Sequence, residues 1–154
     1  MDDFDLDANL SARAGALANS ADQQLRCIPT LLLLTQCLSS SQGLTDAVRH
    51  SQLKPDEVAG ALRALELTSI ADTYLETVGV APPMRIQSED ADMKQWPSKD
   101  RYLALRSELE SQSGEITQRV YDMARQKWSV IAVLPLDRQV LDDFKALRKR
   151  LRLR

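Results

Sequence analysis

Apolar residues recur along this chain mostly at helical spacing, and the pattern predicts helices over most of its length. Residues 6–26 alternate Ala and Leu with polar residues and read as one amphipathic helix. Pro29 fits the first turn of the next helix, where its missing N–H costs nothing. The TLLLLTQCL that follows is apolar on nearly all sides, as the most buried helix would be. SSSQG at 39–43 reads as a loop, with Gly43 as an end signal, and a short helix is expected from Leu44 to about Ser51. After a turn at 52–54, KPDEVAGALRALE reads as a helix to about Leu67. Pro55 opens it, Asp56 and Glu57 fill its first turn, and Val58, Ala61, Leu62 and Leu65 form its apolar stripe.

Between residues 69 and 93 the pattern changes. Ile70, Thr73, Tyr74, Thr77, Val78, Val80 and Ile86 are β-branched or aromatic, and Gly79 and Pro82-Pro83 interrupt them. These residues predict a short hairpin with the diproline at its tip. A long helix is then expected from Ser98, the N-cap after Pro97, toward Trp128. Leu103, Leu109, Ile116, Val120 and Met123 mark its stripe, and Gly114 is a candidate bend. Pro135 separates it from a final helix over residues 137–154, with Val140, Leu141, Phe144, Leu147 and Leu151 on one face.

Composition narrows the class. The chain has 154 residues, enough to bury a core, with 5 glycines and 5% aromatics, so a mainly helical fold is favoured over a strand-rich one. The formal net charge of -2 supplies no global positive field toward nucleic acid, which leaves only local contact surfaces for such a partner. The acidic start MDDFDLDANL lacks the basic region of a secretory signal, and IPTLLLL is too short to span a membrane. A cytoplasmic protein without a membrane partner is the expectation.

Three short helices, a two-stranded ribbon and further helices form the order of a winged helix with dimerisation helices. In that order the chain resembles the MarR family of transcription regulators. LLLLTQCLSSSQGLTDAVRHSQL is similar to the first half of the family's helix–turn–helix. KPDEVAGALRALE is similar to its reading helix through Pro55, Val58, Leu62, Leu65 and Glu66. WPSKDRYLALRSELE and LPLDRQVLDDFKALRKRL are similar to its long and closing helices. The resemblance implies a mainly α fold with a small β-wing, its winged helix-turn-helix core at 28–95 flanked by a helical dimerisation lobe at 1–27 and 98–154. It further implies a homodimeric regulator binding a pseudo-palindromic operator in double-stranded DNA. Arg49, Lys54, Arg63 and the wing's Arg85 would be the DNA contacts, and Trp96, Arg101, Tyr102 and Trp128 would line a cleft for a small aromatic acid.

The contact positions depart from the family. Asp56, Glu57, Ala59 and Gly60 stand where exposed hydroxyls and an arginine would meet the groove, and acids surround Arg85. Carboxylates at a helix start repel phosphate. The same residues therefore support an alternative: a winged-helix adaptor or antagonist that has lost its operator and docks on another protein. In the C-terminal KALRKRLRLR the cations read as dipole-complementing helix-end residues, with a phosphate-binding or acidic-partner arm as the functional alternative, and the N-terminal DDFDLD as a pairing candidate across a dimer.

No catalytic constellation stands out. The sequence carries no phosphate-binding glycine loop and no nucleophile elbow, and His50 has no serine or cysteine partner by spacing. One histidine with two widely spaced cysteines gives no metal pattern, and no cofactor is implied. Some members of the family sense peroxide through a cysteine. Arg26 beside Cys27 makes that thiol the redox candidate, whereas Cys37 reads as core; a structural role is favoured for both.

Overall fold

The computed structural model describes residues 1–40, 42–50, 52–86 and 89–152. They form α1 (Asp3–Ala12), α2 (Ala14–Ala18), α3 (Gln23–Leu38), α4 (Gly43–Arg49), α5 (Pro55–Ala64), α6 (Thr68–Gly79), α7 (Lys99–Gln126), α8 (Trp128–Ile131) and α9 (Arg138–Arg152). No strand occurs among the described residues. The expected β-wing, and with it the winged helix, is thus corrected to an all-helical arrangement.

The correction has a readable cause. Ile70, Tyr74 and Thr77 stand at i, i+4 and i+7, and they are buried together on one face of α6. The threonines are accommodated because their hydroxyls donate back along the helix, Thr73 Oγ1 to the Ser69 carbonyl at 3.1 Å and Thr77 Oγ1 to the Thr73 carbonyl at 2.6 Å. Burial of a helical stripe thereby overrides β propensity. The diproline that was to form the hairpin tip follows the helix in an irregular segment; Gln87 and Ser88, also inside the expected wing, lie outside the described residues.

The N-terminal region is likewise divided differently. The single helix expected over 6–26 is divided among α1, α2 and the first turn of α3, and the break before α3 falls at 19–22 rather than at Pro29. Asp22 sets it: its carboxylate accepts from the backbone N–H of Gln24 at 2.9 Å and of Leu25 at 3.4 Å, a side-chain N-cap. Pro29 then sits inside α3, which runs through it. Gly43, expected to end a helix, instead begins α4.

α3 is the central element, packed against α2, α4, α5 and α7. It buries Leu25, Cys27, Ile28, Leu31, Leu34, Cys37 and Leu38, as its apolar sequence predicts. Each fully buried leucine there contributes about 2 kcal/mol of transfer free energy. α5 joins this core through Val58, Ala59, Ala61 and Leu62, and α7 through Leu109, Ile116, Val120 and Met123. A second cluster, Ile86, Trp96 and Tyr102, anchors the irregular segment between α6 and α7. At the far side α9 lies on α1 and buries none of its residues.

Candidate interaction surface

α5 positions the residues that the sequence singled out. Lys54 is its N-cap and Pro55 opens it, so Asp56 and Glu57 occupy the first turn with favourable dipole alignment. Both carboxylates are exposed, as is Gly60, whereas Ala59 turns into the core. The helix closes in a Schellman arrangement. Leu67 N–H donates to the Leu62 carbonyl at 2.9 Å and Glu66 N–H to that of Arg63 at 3.0 Å. Glu66 takes the left-handed position, with φ of 64°, where glycine is usual.

Opposite the start of α5 runs the polar stripe of α3. Gln23, Arg26 and Thr30, at i, i+3 and i+7, face Asp56, Glu57, Gly60 and Ala61 across a groove of about 470 Å³, with Ala18 at one end. The facing wall was missed in the sequence, because Gln23 and Arg26 were read into a helix over 6–26 and Thr30 into the apolar helix after Pro29; the signal available was their i, i+3, i+7 spacing. Gly60 leaves the groove open, since a Cβ there would meet nothing within 4 Å.

The four expected DNA contacts do not form one surface. Arg49 is turned inward, its guanidinium donating to the carbonyls of Ile86 and Pro83. Arg63 pairs with Asp72 on α6 at 3.2 Å, and Arg85 donates to the Gln95 carbonyl at 3.1 Å. Lys54 lies 3.9 Å from Glu57 on its own helix. The cations point to different acceptors, and Arg49 fastens Pro83 and Ile86 to the end of α4.

The expected ligand residues also separate. Trp96 and Tyr102 do meet, with ring centroids 5.2 Å apart. Little room is left beside them: the cavity next to Trp96 is about 10 Å³, on the order of what one water needs and far short of the roughly 300 Å³ of a small-molecule pocket. Arg101 points away to an exposed pair with Glu76. Trp128 belongs to the main core, where Arg13 stacks over its ring at 5.7 Å. Sequence reading overlooked the group that organises this region. Arg106 is 9% exposed, pairs with Glu89 and Glu110, and lies near Thr45, whose hydroxyl shares a 2.5 Å hydrogen bond with that of Tyr102. An arginine on the apolar stripe of α7, one turn after Tyr102, was the available sign.

A second cleft, of about 440 Å³, lies between α1, α3 and α7. Arg125 holds Asp3 at 2.5 Å, and burial pushes the Asp7 carboxyl up, with neighbouring Tyr121 pulling the other way. Burial, with Asp7 next to it, pushes Tyr121 up to about 12.

Both thiols are buried. Burial pushes Cys27 up, outweighing the opposite pull of Arg26, and Cys27 Sγ lies 3.0 Å from the Gln23 carbonyl. Burial raises Cys37 as well. Neither thiol has the lowered pKa that thiolate chemistry uses. His50 is exposed, and no cluster of His, Cys, Asp and Glu suited to a metal ion occurs among the described residues. No helix among them is long and apolar enough to cross a membrane. The acidic N-terminus and basic C-terminal helix do pair, but within one chain, through Arg148 and both Asp2 and Asp5.

Comparison of the chain with protein-family models, characterised proteins and solved structures found no match.

Proposed function

We propose that this protein is an α-helical interaction module, an adaptor whose α5 groove receives a basic, helical segment of another protein. One observation carries the reading: Asp56 and Glu57 stay exposed on the rim of an open groove, Glu57 with Lys54 3.9 Å away, while Arg49, Arg63 and Arg85 are each directed to acceptors elsewhere. A DNA backbone is repelled by such a rim and finds no converged cations. A helix bearing lysines or arginines gains from the same rim, and its own small or apolar face fits a lining that includes Ala18, Gly60 and Ala61. Arg26 on the opposite wall supplies a donor for a carbonyl or carboxylate of the incoming segment.

The test uses a labelled amphipathic peptide of lysine and leucine, titrated into the full chain. Saturable binding is expected, weakened by salt and by at least about tenfold in Asp56→Lys/Glu57→Lys. Equal affinity of that variant and the parent would reject α5 as the docking surface.

A further inference from the structure

Three helices each turn a polar strip toward the cleft of about 440 Å³ between α1, α3 and α7. Helical spacing makes the strips. Asp3 and Asp7 stand one turn apart on α1, Thr35 and Ser39 at the end of α3, and Ser113 and Tyr121 two turns apart on α7. The volume is that of a small-molecule pocket, a range that begins at roughly 300 Å³.

The strips present acceptors rather than donors. Thr35 Oγ1 donates to the Leu32 carbonyl at 2.9 Å, Ser39 Oγ to that of Gln36 at 2.6 Å, and Ser113 Oγ to that of Glu110 at 2.9 Å. Gln118, also on the wall, gives an amide N–H to Asp122 at 2.8 Å. Each of these groups has a proton committed within its own helix and keeps oxygen lone pairs to offer.

Charge is unbalanced in the same direction. Arg125 pairs with Asp3 at 2.5 Å and lies over the Tyr121 ring, 6.0 Å from its centroid. Asp7 is half-buried and forms no ion pair among the described residues; its neighbour is the neutral phenol of Tyr121. Burial pushes both Asp7 and Tyr121 up, as it does where a counter-ion is missing. A carboxylate so placed costs the fold free energy unless a cation comes from elsewhere.

From an acceptor-lined cleft holding a half-buried carboxylate without a cation, we propose that the cleft binds a small amino polyol, such as an amino sugar. Its protonated amine meets Asp7, and its hydroxyls donate to the oxygens of Thr35, Ser39, Ser113 and Gln118. The site is separate from the α5 groove. It differs in place and in sign from the aromatic-acid cleft expected at Trp96, Arg101, Tyr102 and Trp128. Leu32 is the one aliphatic side chain lining it among the described residues, so a greasy amine gains little there. A metal ion suits it poorly, since no cluster of His, Cys, Asp and Glu fit for one occurs among those residues.

Gly114 supplies a control that leaves the charge alone. It sits on the cleft wall, and a Cβ there would meet nothing within 4 Å, so a larger side chain enters the cleft without disturbing the helix. Calorimetric titration of the full chain with glucosamine, and with glucose as its amine-free match, tests the proposal. Glucosamine is expected to bind saturably at one site, at least about tenfold more tightly than glucose. Asp7→Asn should weaken glucosamine binding by at least about tenfold, the loss of one charge-assisted hydrogen bond. Gly114→Leu should weaken it as much and should melt no earlier than the parent, because leucine favours a helix over glycine. No binding of glucosamine up to about 10 mM, equal binding of the two sugars, or either variant binding as the parent does overturns the proposal.

Discussion

Tyr74 is fully buried in α6, and its hydroxyl has no hydrogen-bond partner among the described residues. Burial drives its pKa far upward, so the group stays a neutral phenol that has lost water and gained nothing in exchange. Tyr74→Phe is therefore expected to raise stability to unfolding by up to about 1 kcal/mol, as a denaturation midpoint would record. Asp22 shows the opposite economy. Its hydrogen bond from Lys127 Nζ, at 2.7 Å, is the main cause lowering its pKa, aided by the capped N–H groups of α3. A depressed carboxylate pKa stabilises the fold above the unfolded value and loses that contribution as pH falls through the folded one. Asn also caps helices, so Asp22→Asn isolates the charge. It should cost no more than about 1 kcal/mol at neutral pH, since the pair is partly exposed, and the deficit should close in denaturation curves taken below the ordinary carboxylate range. At this scale the sequence was only half legible. It named Asp56 and Glu57 as unusual, and they are exposed as a docking surface requires, but it could not say that Arg49 turns inward, because that depends on where residues 82–86 pass.

At the scale of elements, α3, α5, α7 and α9 lie near where their periodicity places them. Two readings failed for a physical reason each. β-branched residues in α6 suggested strands, although their i, i+4, i+7 recurrence matched a buried helical face equally well. Pro29 suggested a helix start, although the true cap was seven residues earlier, at Asp22. Glycines illustrate how context decides. A Cβ at Gly43 would stand 2.4 Å from the Cys37 carbonyl oxygen, so α4 can approach the end of α3 only without a side chain there. Gly114, inside the uninterrupted α7, has nothing within 4 Å of a would-be Cβ. Gly43→Ala should destabilise by roughly 1–3 kcal/mol. Gly114→Ala should stabilise by about 0.5–1 kcal/mol, by relieving the entropic cost of glycine in a helix. Thermal melts of the two variants beside the parent check both signs.

The whole molecule combines one large core around α3, a smaller aromatic cluster fastening residues 80–98, and a peripheral layer of α1 and α9. A mainly helical chain was legible from composition and periodicity. The absence of a wing among the described residues was not, and it changes the functional weighing. An operator reader of the expected kind uses a wing and converged cations; here Ile86 is held by Arg49, Glu89 by Arg106, and Val80 by Trp96, whose indole N–H donates to its carbonyl at 3.2 Å. What this leaves outward at the start of α5 is Asp56 and Glu57, with Lys54 3.9 Å from Glu57 and Arg63 paired with Asp72. The most direct measurement is therefore a low-salt titration of the full chain against duplex DNA from just upstream of its own coding region, with non-specific competitor present. The account predicts no saturable complex at micromolar protein. A competitor-resistant complex that weakens with salt and disappears in Arg63→Ala would contradict it and return α5 to the role of a reading helix.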